Sequence, residues 1–376
     1  MSKWQPVILG DYCEITSSKR IFYSDYVTDG VPFYRSKEII ERQRGDDISE
    51  PLFISNEKYE NIKSQYGVPQ ANDMLLTSVG TIGIAYIVKE TDNFYFKDGN
   101  LTWFRNFSPL LSSQYLYYWI SSVTGQGILH NSTIGSSQKA LTISALKLLK
   151  IPLPPIEVQR KIADILSAYD DLIENNRKQI KLLEEAAQRL YKEWFIDLRF
   201  PGYENTKIIN GIPEGWEKTL LGNLIEIKYG KDHKHIPAGD IPVYGSGGFM
   251  RKCSQALHQG EAVLIPRKGS LNNIMYVNET FWTVDTMFYA LMKQQNIGFF
   301  VYFLLKSFDM YAMDIGAAVP SMTTSILNAI DVVLPTATIL DDFHNNANAL
   351  FKRISTLNKQ NDKLMESRDR LLKKLL

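Results

Sequence analysis

The amino-acid sequence predicts an α+β protein in which two pseudo-symmetric, strand-rich modules are separated by two long helices forming an antiparallel coiled coil. Three observations carry this expectation. The chain is written twice: "WQPVILGDYCEI" from Trp4 returns as "WEKTLLGNLIEI" from Trp216. Within each copy lie short runs rich in β-branched and aromatic residues, broken by Gly, Asp and Asn. Each copy then closes on a long stretch whose apolar residues recur every three and four positions. The corresponding boundaries are residues 1–150 for the first module, 151–199 for the first helix, 200–335 for the second module and 336–376 for the second helix.

The repeat extends beyond its opening frame of Trp, four residues, Leu-Gly-Asp/Asn, two residues, Glu-Ile. "DMLLTSVGTIGIAYIVKETDNFYF" from Asp73 resembles "AVLIPRKGSLNNIMYVNETFWT" from Ala262, with Gly80 answering Gly269. "GSSQKALTISALKLLKIPLP" from Gly135 runs against "GAAVPSMTTSILNAIDVVLP" from Gly316, with Thr142, Ser144 and Pro154 answering Thr323, Ser325 and Pro335. The offset between matched residues shrinks along the chain, so the frame is shared while the inserts differ in length. "PVILGDYCEI", "MLLTSV", "GIAYIV", "FYF" and "LTWF" predict strands in the first module, and "AVLIP", "IMYVN" and "FWTV" predict them in the second. Helical pattern is sparse there: "SSQYLYYWISS" and "FFVYFLLKSF" predict one helix per module.

The first long helix is expected to carry a seam of Ile162, Ile165, Tyr169, Leu172, Asn176, Ile180, Leu183, Ala187, Leu190 and Trp194, with one extra step of four. The second carries Phe343, Ala347, Leu350, Ile354, Leu357, Asn361, Leu364, Arg368, Leu371 and Leu375 in strict alternation. A helix of about 35 to 40 residues reaches roughly 50 to 60 Å, too far to be buried within one module. Its seam needs a partner, and the other helix supplies one of the same kind, with Asn176 and Asn361 fixing register. Pro152, Pro154 and Pro155 make the entry to the first helix a stiff extended segment.

Composition sets the outer limits. Apolar residues at 44% and charged residues at 22% describe an ordinary globular chain, and 376 residues suffice for more than one domain. No leader pattern opens the sequence and no apolar run approaches the ~20 residues of a membrane span, so a cytoplasmic protein is expected. Cys13 and Cys253 lie far apart without metal-site spacing and are expected to be buried apolar residues rather than a disulfide or zinc ligands. Lys plus Arg number 42 against 41 for Asp plus Glu, so any nucleic-acid binding must use local patches.

The segment "GSSQKALTISALKLLKIPLPPIEVQRKIADILSAYDDLIENNRKQIKLLEEAAQRLYKEWF", followed by "GIPEGWEKTLLGNLIEI", resembles the central conserved region of type I restriction-modification specificity subunits, and the resemblance covers nearly the whole chain. It implies two target-recognition domains, each reading one half of an asymmetric split site in double-stranded DNA, with the helix pair acting as a ruler between them. It implies no catalytic centre and no cofactor in this chain. Partners would be two methyltransferase subunits using S-adenosylmethionine for adenine-N6 methylation and restriction subunits using ATP and Mg. The second proline run departs from the pattern: it is reduced to "VLP" and followed by "TATILDDF" where the first has "PIEVQRKI". Imperfect symmetry at the methyltransferase contacts is therefore expected.

The residues themselves agree with a reader rather than an enzyme. There is no Asn/Asp-Pro-Pro-aromatic methylation segment, no phosphate loop ending in Gly-Lys-Ser/Thr and no His-Glu-x-x-His. "YGSGG" at Tyr244–Gly248 reads as a tight loop, and "KDHKH" at Lys231–His235 as a solvated, phosphate-facing loop. Loop residues suited to guanine edges, adenine edges and phosphates are Lys19, Arg20, Arg35, Lys37, Ser78, Thr81, Gln138 and Lys139 in the first module. In the second they are Lys231, Lys234, Arg251, Lys252, Arg267, Lys268, Asn272 and Asn273, with "IPRKGSLNN" the densest group. Two other readings stay open on the residues alone: a DNA-modifying enzyme with unrecognised motifs, and a structural coiled-coil adaptor.

Overall fold

A computed structural model describes residues 4–135, 139–313 and 321–376. Contacts divide the chain into two units, Met1–Lys178 with Leu357–Leu376, and Gln179–Thr356. Each long helix is thus split between units, where the sequence pattern suggested modules and helices as separate blocks.

The first unit opens with β1 (Pro6–Ile8) and β2 (Glu14–Thr16), joined by a 3-10 turn, followed by β3 (Tyr26–Val27) and β4 (Val31–Tyr34). Next come α1 (Ser36–Arg44), β5 (Leu52–Ile54), α2 (Asn56–Tyr66), β6 (Met74–Thr77), β7 (Ala85–Ile87), β8 (Tyr95–Phe96) and β9 (Leu101–Arg105). The helices α3 (Ser113–Ser121), α4 (Val123–Asn131) and α5 (Ile143–Lys147) precede β10 (Lys150–Pro152) and the long α6 (Ile156–Tyr191). The strands form two four-stranded sheets, β2-β9-β6-β7 and β3-β5-β4-β8, while β1 pairs antiparallel with β10. A core of Leu9, Ile15, Met74, Phe104, Tyr115, Trp119, Leu146 and Ile151 joins the first sheet to α3, α5 and the start of α6.

The second unit contains β11 (Ile208–Ile209), β12 (Ile212–Pro213), β13 (Glu217–Leu220), α7 (Leu221–Leu224) and β14 (Ile225–Tyr229). They are followed by β15 (Ile241–Gly245), β16 (Gly248–Cys253), β17 (His258–Pro266), β18 (Met275–Thr283) and β19 (Met287–Met292). The remainder is α8 (Gly298–Lys306), α9 (Thr324–Asn328), β20 (Asp331–Leu334) and the second long helix, α10 (Ala337–Leu375). One six-stranded sheet runs β14-β19-β17-β18-β15-β16, and β13 pairs antiparallel with β20.

The written repeat is a structural one. Leu9 N donates to Leu149 O at 2.9 Å, and its counterpart Leu221 N donates to Ile330 O at 2.8 Å. Thr142 caps α5 through Ala145 N at 3.1 Å, as Thr323 caps α9 through Ile326 N at 3.2 Å. The Leu-Gly pair has a steric cause. A Cβ on Gly10 would lie 2.9 Å from Lys147 O, and one on Gly222 would lie 3.0 Å from Asn328 Cβ, so each glycine lets a strand end press on the last turn of the short helix. The strand order β2-β9-β6-β7 is likewise that of β14-β19-β17-β18.

The inserts diverge at one identifiable place. In the second unit "VNETFWT" continues as a single strand, β18, whose end pairs in parallel with β15 through Val243–Trp282 and Tyr244–Thr283. The first unit has "VKETDNFYF", two residues longer, and the extra Asp92 and Asn93 interrupt the strand. Asp92 accepts from Lys89 N at 2.9 Å and Tyr86 Oη at 2.7 Å and pairs with Arg42 of α1, fixing a turn. The severed end becomes β8, which keeps its parallel partner, β4, through Phe33–Tyr95 and Tyr34–Phe96. One sheet has thereby become two.

Several expectations are corrected by the structure. The first unit has three further helices in its insert besides α3, because α1 and α2 are polar segments held by caps and narrow apolar stripes rather than by strong periodicity. "IMYVN" and "FWTV" fall largely on a single strand, β18, and the helix expected from residue 151 starts at Ile156, since Lys150–Pro152 is strand. The first seam also shifts. Ile165 and Leu172 are 39% and 52% exposed, whereas Leu166 and Ile173 are buried, so the seam reads 162, 166, 169, 173, 176 without an irregular step. Cys13 and Cys253 are free and buried, as expected.

Within the first unit α6 and α10 run antiparallel. Asp170 pairs with Arg368 at 2.6 Å, and six residues further along α6 Asn176 Nδ2 donates to Asn361 Oδ1 at 2.9 Å. Tyr118 Oη also donates to Asp170, at 2.7 Å, tying the helix pair to α3. Within the second unit, Tyr191 and Phe343 lie 6.1 Å apart between ring centroids, and Trp194 and Phe343 5.9 Å. The last turn of α6 loosens to π spacing over Lys192–Ile196, which puts Phe195 against Phe343, Phe300 and Trp216.

Candidate nucleic-acid interface

In the second unit the end of β17 leads into a loop whose backbone is fixed at both sides. Arg267 N and Lys268 N both donate to Thr286 O, at 2.8 and 3.2 Å, and Met322 N donates to Arg267 O at 2.9 Å. Gly269 adopts φ +86°, which turns the chain, and Asn273 Nδ2 donates at 2.8 Å to Ser246 O in the neighbouring turn. That turn, Ser246–Gly247, connects β15 to β16, so the glycine cluster is the tight loop expected. Arg267 lies over the ring of the half-exposed Tyr229 at the end of β14, 5.6 Å from its centroid. The structure therefore gathers Arg267, Lys268 and Asn273 beside a hairpin tip and an exposed tyrosine.

The other second-unit candidates group differently. Arg251 donates from Nε to His233 Nδ1 at 3.0 Å and from Nη2 to Ile236 O at 3.0 Å, so it ties the 231–236 loop to β16. Lys231, Lys234 and Lys252 are exposed around this strut. Asn272 is committed: its Nδ2 donates to Asp309 at 3.1 Å and its Oδ1 accepts from Met310 N at 2.7 Å, leaving the amide pinned to a turn.

The first unit repeats the loop with other side chains. Leu141 N donates to Ser78 O at 2.9 Å, the counterpart of the bond between Met322 and Arg267, and Gly80 has φ +77°. Ser78 is the correction here: it is 2% exposed and its hydroxyl is 2.7 Å from Thr102 Oγ1, so it faces the core and not a ligand. Thr81 and Lys139 are exposed on either side of the bridge between Val79 and Ala140, and Gln138 lies outside the described residues. Lys19 sits over Tyr66 at 4.4 Å and Arg20 pairs with Asp98 at 2.9 Å while remaining largely exposed. Arg35 is held by Glu38, whose fully buried carboxylate it helps to cap, and Lys37 pairs with Glu50 at 3.1 Å. Burial would raise the Glu38 carboxyl, but bonds from the Arg35 side chain and backbone outweigh it and keep the group below the usual carboxylate range.

Each unit also has a shallow cleft where the long helix begins. The first, about 540 Å³, is lined by Asn72, Asn106, Ser112, Ile156 and Arg160. The second, about 310 Å³, is lined by Gly215, Gln294, Ile297, Ala337 and Asp341. Arg160 and Asp341 occupy matching positions of the repeat, so the clefts correspond in place and differ in the sign of the charge at that one position. Among the described residues no three His, Cys, Asp or Glu side chains come together as a metal-binding group, and no helix is long and apolar enough to cross a membrane.

The profile of the type I restriction modification DNA specificity domain matches this chain over residues 1–185 and 213–360. The chain belongs to that family. The two matched segments follow the two copies of the repeat. Among specificity-subunit relatives, the type I restriction enzyme MjaIX specificity subunit of Methanocaldococcus jannaschii is 29% identical over 348 residues, 81% of this chain and 76% of the relative. The EcoBI specificity subunit of Escherichia coli is 30% identical over 184 residues, covering 46% of this chain and 36% of its own length. The crystal structure of the type I restriction-modification S subunit from M. genitalium has the same fold, with a TM-score of 0.61 at 17% identity, over 100% of this chain and 96% of that one.

Sequence reasoning missed the exposed apolar residues of this face, Tyr229, Phe249 and Met250. A signal was available in "YGSGGFMRK", where two large apolar residues follow a glycine turn and precede two cations.

Proposed function

We propose that the chain is the sequence-reading subunit of a type I restriction-modification assembly, with each unit reading one half of an asymmetric bipartite site in double-stranded DNA and the long helices setting the interval between the halves. The observation that carries this reading is a closing frame whose strand pairing and threonine caps recur in both units around inserts that differ in sheet architecture. A repeated frame suits a partner that comes in two copies, and divergent inserts suit two different half-sites. Methyltransferase and restriction subunits would bring S-adenosylmethionine, ATP and Mg, so this chain would be non-catalytic and would work in the cytoplasm. The matching clefts at the starts of α6 and α10 are the natural seats for the two methyltransferase copies, and the opposition of Arg160 and Asp341 makes the two seats unequal.

The near balance of 42 cationic against 41 anionic side chains implies weak DNA binding by the isolated chain, because phosphate contacts supply most of the affinity of such complexes. The deciding experiment co-expresses the chain with its methyltransferase subunits and maps methylated adenines across the host genome. A split motif that disappears when the chain is omitted supports the reading. Methyl transfer by the purified chain alone, or methylation without a bipartite motif, overturns it.

A further inference from the structure

We propose that the hairpin tip of the second unit carries an apolar wedge, Phe249 with Met250, that enters the DNA base stack and locally unstacks one step of the half-site. The inference rests on the DNA-reading function proposed above and assigns the contact through which this unit deforms its target. Phe249 and Met250 are 59% and 53% exposed although they are consecutive on one strand, where successive side chains should point to opposite faces. A bulge accounts for this: Val243 pairs with Arg251 and Tyr244 with Phe249, which leaves Met250 as the extra residue. Bulges of this kind re-aim side chains.

The tip is braced rather than loose. The Tyr244 ring stands edge-on to Phe249 at 6.5 Å, and its hydroxyl donates to Glu279 Oε1 at 2.6 Å. Asn273 holds the turn carbonyl of Ser246 at 2.8 Å, so the tip is anchored to the loop that carries Arg267 and Lys268. The chain runs from the apolar pair directly into Arg251 and Lys252. The exposed Lys252 and Lys268 beside a braced, exposed apolar pair match a duplex, whose phosphates meet the cations while its base step accepts the ring. The first unit has a related pair, Phe22 and Tyr23 at 61% and 89% exposure, directly after Lys19, Arg20 and the buried Ile21.

The test uses the chain assembled with its methyltransferase subunits and a duplex bearing the mapped motif, with 2-aminopurine placed in turn at each adenine or guanine of the half-site that changes when the second unit is exchanged, except the methylated adenine, which a methyltransferase extrudes by itself. In the wild type one position should brighten on binding. Phe249→Ala should abolish that brightening and weaken binding roughly tenfold to a hundredfold while leaving the dependence on salt unchanged. Phe249→Trp should restore both, with its own emission quenched by stacking. Lys268→Ala should do the reverse, lowering the salt dependence and keeping the brightening. The wedge is overturned if Phe249→Ala binds as tightly as wild type, or binds more weakly with the brightening intact. Wild-type assembly that does not distinguish the motif duplex from an unrelated one overturns the DNA-reading function itself.

Discussion

The two units share a frame and differ in what the frame holds. Both close with a strand at the Trp-x4-Leu-Gly segment pairing with a strand just before a long helix, and both cap the short preceding helix with a threonine. Inside, a two-residue insertion at Asp92–Asn93 splits one sheet into two, and Ser78 in one unit answers Arg267 in the other. The contrast shows where structural constraint is tight: the closing strand pair, the glycine contacts and the threonine caps repeat, and the inserts between them do not. It also explains how one fold can present two unlike reading surfaces.

The largest effect should come from exchanging the insert alone. Replacing the residues between Asp11 and Lys139 with those of a relative should change one half of the methylated motif and leave the other untouched, as read by methylation mapping. A motif that keeps both halves breaks the assignment of one half-site per unit.

The frame itself differs at one buried position. Gln159 is fully buried, accepting from Ser112 N at 2.9 Å and donating to Leu110 O and Pro154 O at 2.9 and 2.8 Å, while the matching residue of the second unit is the buried Leu340. Gln159→Leu strands three backbone groups and should destabilise the first unit by about 3 kcal/mol or more, measured by denaturant unfolding. A loss below about 1 kcal/mol would mean that the first unit closes as the second does, without this polar clasp.

The helix seam offers a finer comparison. Asn361→Leu leaves Asn176 buried without its 2.9 Å partner and should cost about 1 to 3 kcal/mol, whereas the double replacement of both by Leu should recover most of that loss. Next, Gly10→Ala and Gly222→Ala should each lower stability by about 1 to 3 kcal/mol. Gly10→Ala should be the more damaging, because its new Cβ meets a backbone oxygen rather than a side chain. Equal effects would show that both short helices yield alike.

The smallest effect concerns an ion pair present in one unit. Glu174 bonds Lys89 at 2.8 Å and Lys178 at 2.9 Å, and these bonds hold its carboxyl down to about 2. A depressed folded value means that the stabilisation is complete above the ordinary glutamate value of about 4.3 and is lost as pH falls from there toward about 2. Glu174→Gln should therefore flatten the melting temperature of the first unit slightly across that window and have little effect on its slope above it. The site is partly exposed, so the change should be small.

Much of this was legible in the residues. Gly10, Gly222, Thr142 and Thr323 were visible as matched positions of the repeat and the second seam as a periodic pattern, while the close approach and capping that explain the first four come from the structure. The helices α1 and α2 were not, since their sequences are polar and their stability comes from caps and tertiary contacts. The first seam slipped at Ile165 and Leu172 because apolarity alone cannot tell an exposed isoleucine from a buried leucine one position on. Among the candidate reading residues, the structure brings Arg267, Lys268 and Asn273 together, while residue type could not foresee that Ser78 turns inward or that Asn272 is spent on a turn. Those outcomes depend on which neighbours the fold supplies.

The pairing of β1 with β10, and of β13 with β20, has a genetic consequence. Entry and exit of each insert are stitched together side by side, so the insert begins and ends at one two-stranded neck whose strand-to-strand pairing does not depend on the length of what lies between. Recombination with breakpoints in the neck-coding DNA could trade one cassette for another of different length, and the chain would acquire a new target without having to relearn how to fold its helices.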